Sequence, residues 1–292
     1  MAILVAQRKI IVDGFIVMIG NLYVVATPIG NLQDFSSRGA RLLSSVKMVA
    51  AEDTRRARTL LAEIGCDNVK VVPLHEHNEK TQLGNITQLI LDGHDIALIS
   101  DAGTPLLSDP GFLLVRECWR MNIRVLPVPG PSAVLSALSV CPIPAEHFYF
   151  HGFIAAKPAQ RRAQIGGLLL RREATVFFEA PHRVEHCLMD FLELAPDRRM
   201  MVAREMTKRY ESYKFGNASD LLAALRKENA FRGEFVFVLE GEAKKDIEHP
   251  WEHQLLAMLV KEIGPSKAAK IVGQLSSKNR RELYQKALSL AE

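Results

Sequence analysis

The run AEDTRR sets Glu52, Asp53, Arg55 and Arg56 side by side where an apolar stretch stops. Glu52 or Asp53 could serve there as a general base while Arg55 meets a phosphate or a developing negative charge. The same residues also suit an ordinary helix start, with Asp53 as the cap and Glu52 paired to Arg55. His75 and His77 follow in LHEHNE, and a His-x-His pair can ligate a metal. This half of the chain offers no obvious third histidine or cysteine ligand, so His77 is expected to line a polar cleft and no metal is expected. In the second half FEAPHR carries Glu179 and Arg183, and REMTKR carries Lys208, each again ending an apolar run. Glu52, Asp53, Arg55, His77, Glu179, Arg183 and Lys208 are thus the candidate proton acceptors and cations, unranked.

Other stretches are notable for missing bulk. In IALISDAGTPLLSDPG, Ile96 to Gly111, an apolar run stops at Ser100 and Asp101, and Ala102 and Gly103 then leave the backbone open to close approach. Thr104 and Pro105 fix the turn, and Asp109, Pro110 and Gly111 read as a helix start with Asp109 as N-cap. Such a shelf at the carboxyl end of a strand is where open α/β sheets bind ligands, although an ordinary strand-to-helix turn reads the same way. PGPSA, Pro129 to Ala133, is a second stiff turn, with Ser132 opening a helix. TPIGN, Thr27 to Asn31, has one glycine, so it is neither the G-x-G-x-x-G dinucleotide fingerprint nor a P-loop. Basic residues gather at Lys157, Arg161 and Arg162, and near the chain end at Lys267, Lys270, Lys278, Arg280, Arg281 and Lys286. These are either solvated faces or contacts for a nucleic-acid backbone.

Elements that could position these residues follow from the pattern of short β-rich runs alternating with helical periodicity. Strands are expected at Leu22–Ala26, Met48–Ala51, Val69–Pro73, Ile96–Ser100 and Arg124–Val128, with crossover helices between them, which predicts a parallel sheet. CPIPAE, Cys141 to Glu146, marks a domain boundary. Strands at Phe148–His151, Thr175–Phe178, Met201–Arg204, Tyr210–Gly216 and Phe235–Leu239 build a second sheet. The closeness of the strands around Met201 and Tyr210 predicts a hairpin and a mixed sheet. Helices at Trp251–Ile263, Ser266–Leu275 and Asn279–Ala291 complete the chain. The expected organisation is an N-terminal extension over 1–20, α/β domains over 21–141 and 146–241, and a helical module over 242–292.

Bulk composition bounds the class. A chain of 292 residues, 48% hydrophobic and 24% charged with net charge +4, is ordinary for a soluble protein of two domains and tolerates a polyanionic partner. Cys66, Cys118, Cys141 and Cys187 lie far apart without a CxxC pair, which points to a reducing, cytoplasmic setting. The apolar N-terminus is broken at Asp13 and Gly14 and is too short to span a bilayer, so residues 1–20 read as a disordered or loosely docked tail and no membrane partner is expected.

TPIGN, AEDTR, LHEHNE, SDAGTP with SDPG, PGPSA, PHR and RGEFVFVLEG occur in one order between Leu22 and Gly241. Together they closely resemble the tetrapyrrole methylase superfamily, and within it the members that methylate small-subunit ribosomal RNA. The resemblance implies two α/β domains with S-adenosylmethionine in the cleft between them, a homodimer, and methylation of a cytidine ribose 2′-hydroxyl in 16S ribosomal RNA. It implies cofactor binding by Pro28, by Ser100, Asp101, Ala102, Gly103 and Thr104, by Ser132 and Ala133, and by Phe178. RNA contacts are expected at Lys157, Arg161, Arg162, Lys267, Lys270, Arg280 and Arg281. Where family members read G-F-L-P-x-K, this chain has Gly152, Phe153, Ile154, Ala155, Ala156 and Lys157. Loss of that proline is expected to loosen the loop. A precorrin-type methylase and a non-catalytic RNA-binding assembly factor are the alternative readings.

Overall fold

The computed structural model describes residues 8–12, 15–242, 250–276 and 279–291. The chain divides after Glu242 into two compact units. No helix among the described residues is long and apolar enough to cross a membrane.

The first unit opens on a hairpin, β1 (Arg8–Val12) paired antiparallel with β2 (Phe15–Ile19). This corrects the expectation of a loose tail for those residues; the parts of that expectation on residues 1–7, 13 and 14 lie outside the described residues. Gly20 N–H donates to the Ile90 carbonyl at 2.8 Å, tying the hairpin's exit to the domain.

The first sheet is all parallel, in the order β5 (Lys70–Pro73), β4 (Met48–Ala51), β6 (Ile96–Ile99), β3 (Asn21–Val25), β7 (Arg124–Val128). Strands β4 and β6 are apolar at every position because both faces are covered. Leu22, Ala50, Ile96 and Leu98 pack on Ile86 and Ile90 of α3 (Glu79–Leu91) and on Leu114 and Cys118 of α4 (Phe112–Arg120). Val25, Val49, Ala97 and Ile99 pack on Leu43 of α1 (Ser37–Leu43) and Leu61 of α2 (Thr54–Glu63). The helices after β3 and β4 therefore lie on one face and that after β6 on the other. Adjacent strands feeding opposite faces leave a crevice at their carboxyl ends, and β6 occupies its centre.

One helix boundary differs from expectation. Asp109 does not cap α4; Gly111, at φ 113°, takes the N-cap position and the helix begins at Phe112. The missing cap is supplied from α3, where the buried Glu79 carboxylate accepts the Leu114 N–H at 2.9 Å.

The second sheet runs β11 (Ser212–Asn217), β10 (Arg199–Arg204), β12 (Phe235–Leu239), β9 (Ala174–Glu179), β8 (Phe148–Phe153). Only β8 and β9 pair in parallel, so the sheet is mixed, as the expected hairpin of β10 and β11 requires. One face, with Phe177, Val202 and Phe237, packs on α6 (Pro158–Leu169), α7 (Val184–Leu194) and α8 (Ala218–Lys227). The other, with Val176, Met201, Ala203, Val236 and Val238, packs on Val134 and Ala137 of α5 (Ala133–Ser139) and on Ile29. A first-sheet helix and a first-sheet turn thus form part of the second sheet's core.

Arg161, expected on a basic surface, is instead buried at 5% exposure, its Nε donating to Asp190 Oδ2 at 2.6 Å. Its partner lies on α7, so this cation closes the α6–α7 contact and is withheld from a phosphate. The loop before α6 is not loosened by the absent proline either. Ala155 N–H donates to Gln164 Oε1 at 2.8 Å, a bond that a proline, lacking the N–H, could not make.

In the second unit α9 (Pro250–Ile263), α10 (Pro265–Ser276) and α11 (Arg280–Ser289) enclose Leu256, Val260, Ala268, Ala269, Val272, Leu283 and Ala287. Small alanines let α10 sit close to its neighbours. Asn279 caps α11 by accepting the Arg281 N–H at 2.9 Å. Lys267, Lys270, Arg280 and Arg281 are all exposed, while Lys278 lies outside the described residues.

Candidate active site

The shelf after β6 is braced on both sides. Thr27 and Gly103 exchange backbone hydrogen bonds of 2.9 and 3.1 Å, and Thr27 Oγ1 donates to the Ser100 carbonyl at 3.2 Å. Thr104 Oγ1 donates to the Pro131 carbonyl at 3.1 Å, binding the shelf to the turn after β7. Gly103 sits at φ 82°, and a Cβ there would lie 3.4 Å from Ile29 Cγ2. Ala102 is exposed and Pro28 half-buried beside this bridge, and buried Ser132 caps α5 through the Leu135 N–H. The loops after β3, β6 and β7 therefore form one rigid rim, which brings Pro28, Ser100 to Thr104, Ser132 and Ala133 together. Leu106 and Ser108, at φ 74° and 73°, hold the outer loop in a conformation that non-glycine residues seldom adopt.

Carboxylates gather on this rim. Asp101 accepts the Asp53 N–H at 3.0 Å and pairs with Arg56 at 3.2 Å. Burial pushes the Asp109 carboxyl up to about 6; a hydrogen bond with Ser100 pulls it down, and the negative Glu52 and Asp101 push it further up. Glu52 is raised as well, by burial first and then by Asp101. Sequence reasoning misses Asp109 as a site residue because SDPG also reads as a helix start. Its neighbours in AEDTRR play a different part. Asp53 caps α2 and bonds the Arg55 side chain at 2.8 Å, so Arg55 pairs with Asp53 rather than Glu52, and those bonds hold the Asp53 carboxyl well below its usual range. The His77 side chain is 84% exposed beside an equally open Glu76, so it stands on the surface and does not line a cleft as expected.

On the second sheet, strand alternation separates two neighbours. Phe178 faces the side that holds Ala133 and Val134, and its ring lies 5.1 Å from Phe150 and 5.4 Å from Phe153. Glu179 points to the other face, where its fully buried carboxylate accepts Ala180 N–H at 2.8 Å and Arg183 Nε–H at 2.6 Å. This pair organises the turn into α7. Lys208 Nζ lies 3.1 Å from Glu205 and 3.0 Å from Glu234. Burial lowers its pKa, but the bonds and charges of Glu234 and Glu205 outweigh that and hold it raised. Its turn packs directly on TPIGN, since a Cβ on Gly30 would fall 2.3 Å from Lys208 Cγ. Lys208 is thus the second-half cation that the structure brings to the rim.

The sequence model of the Tetrapyrrole (Corrin/Porphyrin) Methylases matches residues 21–222, and that of the RsmI C-terminal HTH domain matches residues 253–291. The chain is 43% identical over 268 residues to ribosomal RNA small subunit methyltransferase I of Xylella fastidiosa, covering 91% of this chain and 98% of that one. It is 38% identical over 272 residues to the protein of the same name from Escherichia coli O157:H7, covering 92% and 95%. Among solved structures, diphthine synthase aligns with TM-score 0.57 at 14% identity, over 76% of this chain and 90% of that one. Uroporphyrin-III C-methyl transferase from Thermus thermophilus, complexed with S-adenyl homocysteine, aligns with TM-score 0.52 at 14% identity, over 76% and 97%. These two likenesses speak to the fold. The chain belongs to the tetrapyrrole methylases and, within them, to the ribosomal RNA small subunit methyltransferase I family of S-adenosylmethionine-dependent methyltransferases.

Proposed function

We propose that this chain methylates the 2′-hydroxyl of a cytidine ribose in 16S ribosomal RNA, working as a cytoplasmic homodimer. The observation that carries this reading is the union, in one chain, of a methylase rim with a helical unit that exposes Lys267, Lys270, Arg280 and Arg281. Arg162 and the exposed Lys157 would add RNA contacts on the α/β unit, although Arg162 already pairs with Glu193 at 2.5 Å. Phe112 and Trp119, 60% and 70% exposed on α4, offer apolar surface to a second copy.

The rim fits S-adenosylmethionine. Pro28, Ser100 to Thr104, Ser132, Ala133 and Phe178 would hold it. The half-buried carboxylate of Asp109 has acidic neighbours in Glu52 and Asp101, so a sulfonium or ammonium group would supply the positive charge that favours its ionised form. When bound, the cofactor supplies an electrophilic methyl group. Displacement at that carbon is in-line, so the protein's task is to align the attacking oxygen and exclude water. A rim locked by the Thr27–Gly103 bridge and the Thr104–Pro131 bond suits that task. The ribose proton must also be accepted. Glu52, raised above its ordinary value by burial and by Asp101, is a better base than an ordinary carboxylate, and Lys208, held protonated, can steady a developing alkoxide. Asp53, Arg55 and Glu179 with Arg183 serve positions around this centre.

The test is to incubate purified protein and methyl-labelled cofactor with assembled small subunits, free 16S RNA and a tetrapyrrole. Label on RNA is expected. Label on the tetrapyrrole alone would establish the precorrin-type reading, and RNA binding without cofactor binding the assembly-factor reading.

A further inference from the structure

The pairing of β8 with β9 contains an irregularity that sets the direction of one side chain. Phe148 pairs with Ala174 and Phe150 with Val176, but beyond them Gly152 pairs with Phe177 and Phe153 with Phe178. His151 is the extra residue of a β-bulge. In a regular strand Phe150 and Phe153 would point to opposite faces. The bulge puts both on the face of Phe178, with ring centroids 5.1 and 5.4 Å from it in edge-to-face arrangement. Gly152 allows this with φ 77°, and a Cβ there would come 3.1 Å from Ser108 Oγ, so the bulge abuts the outer loop of the shelf.

The three rings differ in burial. Phe150 and Phe178 are half-buried, whereas Phe153 is 54% exposed, unlike the core ring Phe177 at 0%. The bulge gives Phe153 an edge contact with Phe178 yet leaves more than half of the ring in solvent, so burial alone does not account for it. From Phe153 the chain runs through buried Ile154 to exposed Lys157 at the start of α6, so the open ring is followed by a cation.

We propose that Phe153, backed by Phe178, is the platform on which the pyrimidine base of the target nucleotide stacks. The inference rests on the reading of the substrate as RNA methylated on ribose. A nucleotide drawn out of the RNA into the crevice at the strand ends gives up its own stacking, and an open aromatic face restores it. Edge contacts with Phe178 fix the ring while leaving its exposed part free, and Lys157, four residues further along the chain, is an exposed cation of the kind a phosphate takes.

The test uses the full-length protein with Phe153→Leu and Phe153→Trp, assayed on assembled small subunits. Melting temperature and cofactor affinity by calorimetry are measured in parallel. Phe153→Leu should lower kcat/KM for RNA on the order of 10- to 100-fold. Cofactor affinity should stay within about twofold and melting should be unchanged, because the ring is largely exposed. Phe153→Trp should restore most of the rate. Unchanged kcat/KM in Phe153→Leu overturns the platform, and so does an equal loss of cofactor affinity, which would assign the ring to the cofactor's adenine. If the wild type itself transfers no methyl to the subunits, the RNA reading fails and the platform with it. An active wild type with an indifferent variant overturns the platform alone.

Discussion

At the scale of single residues, the account turns on Gly103 and Asp109. Gly103 has a positive φ and a Cβ position 3.4 Å from Ile29. A β-branched residue there is strained by roughly 1–3 kcal/mol and pushes the Thr27–Gly103 bridge apart. Gly103→Val should therefore lose most cofactor affinity in calorimetry while RNA affinity in filter binding stays near wild type. Asp109 makes a pH prediction with a definite sign. Its pKa is raised from 3.8 to about 6 in the folded protein, so the folded state holds the proton more tightly than the unfolded chain. That contribution is fully present below pH 3.8 and is lost as pH rises through about 6. Asp109→Asn should thus be more stable than wild type by about 1 kcal/mol at a pH of about 8, after allowing for partial solvent screening. In urea unfolding the difference should vanish near pH 3.8. Cofactor affinity should move the other way, rising in the wild type as pH passes through about 6 and the carboxylate ionises against a cationic ligand. The variant should show a flatter profile.

At the scale of elements, legibility follows from whether the cause is local. Strands β4 and β6 stand out as continuous apolar runs because both faces are covered, and the hairpin of β10 and β11 follows from the closeness of the two strands in sequence, Arg204 pairing with Ser212. What sequence spacing does not disclose depends on partners far along the chain. The start of α4 falls later than SDPG suggests because its cap is Glu79, 35 residues before the N–H it accepts. Glu79→Ala should cost about 1–2 kcal/mol in chemical denaturation. The basic run at α6 is not a uniform surface because Asp190 arrives from α7 to bury Arg161. Arg161→Ala leaves that carboxylate buried without its main partner and should destabilise by about 3–5 kcal/mol. The salt dependence of RNA binding, measured below the variant's melting temperature, should be unchanged. The β8 bulge is hidden for the same kind of reason, since nothing in FYFHGF marks His151 as extra until β9 is laid beside it. Among the candidate site residues, the shelf Ser100 to Thr104 can be read from the missing bulk at Ala102 and Gly103. Asp109 cannot, because burial gives it its character, and Lys208, legible as a candidate cation, is singled out from the others only by its packing on Gly30.

At the scale of the whole molecule, a braced rim proposed to hold the cofactor and a basic helical unit belong to one polypeptide, and each is expected to be weakened without the other. Replacing Lys267, Lys270, Arg280 and Arg281 together with alanine should weaken RNA binding and lower its salt slope by roughly 0.9 for each phosphate no longer neutralised. Cofactor affinity should be untouched. The direct measurement of the central claim is the chemical position of the transferred methyl. Small subunits methylated with labelled cofactor are stripped of protein, and their 16S RNA is hydrolysed in alkali, which needs a free 2′-hydroxyl to cleave the neighbouring phosphodiester. The account predicts label in an alkali-resistant dinucleotide whose 5′ residue is cytidine. Label released as a mononucleotide would place the methyl on a base and contradict it.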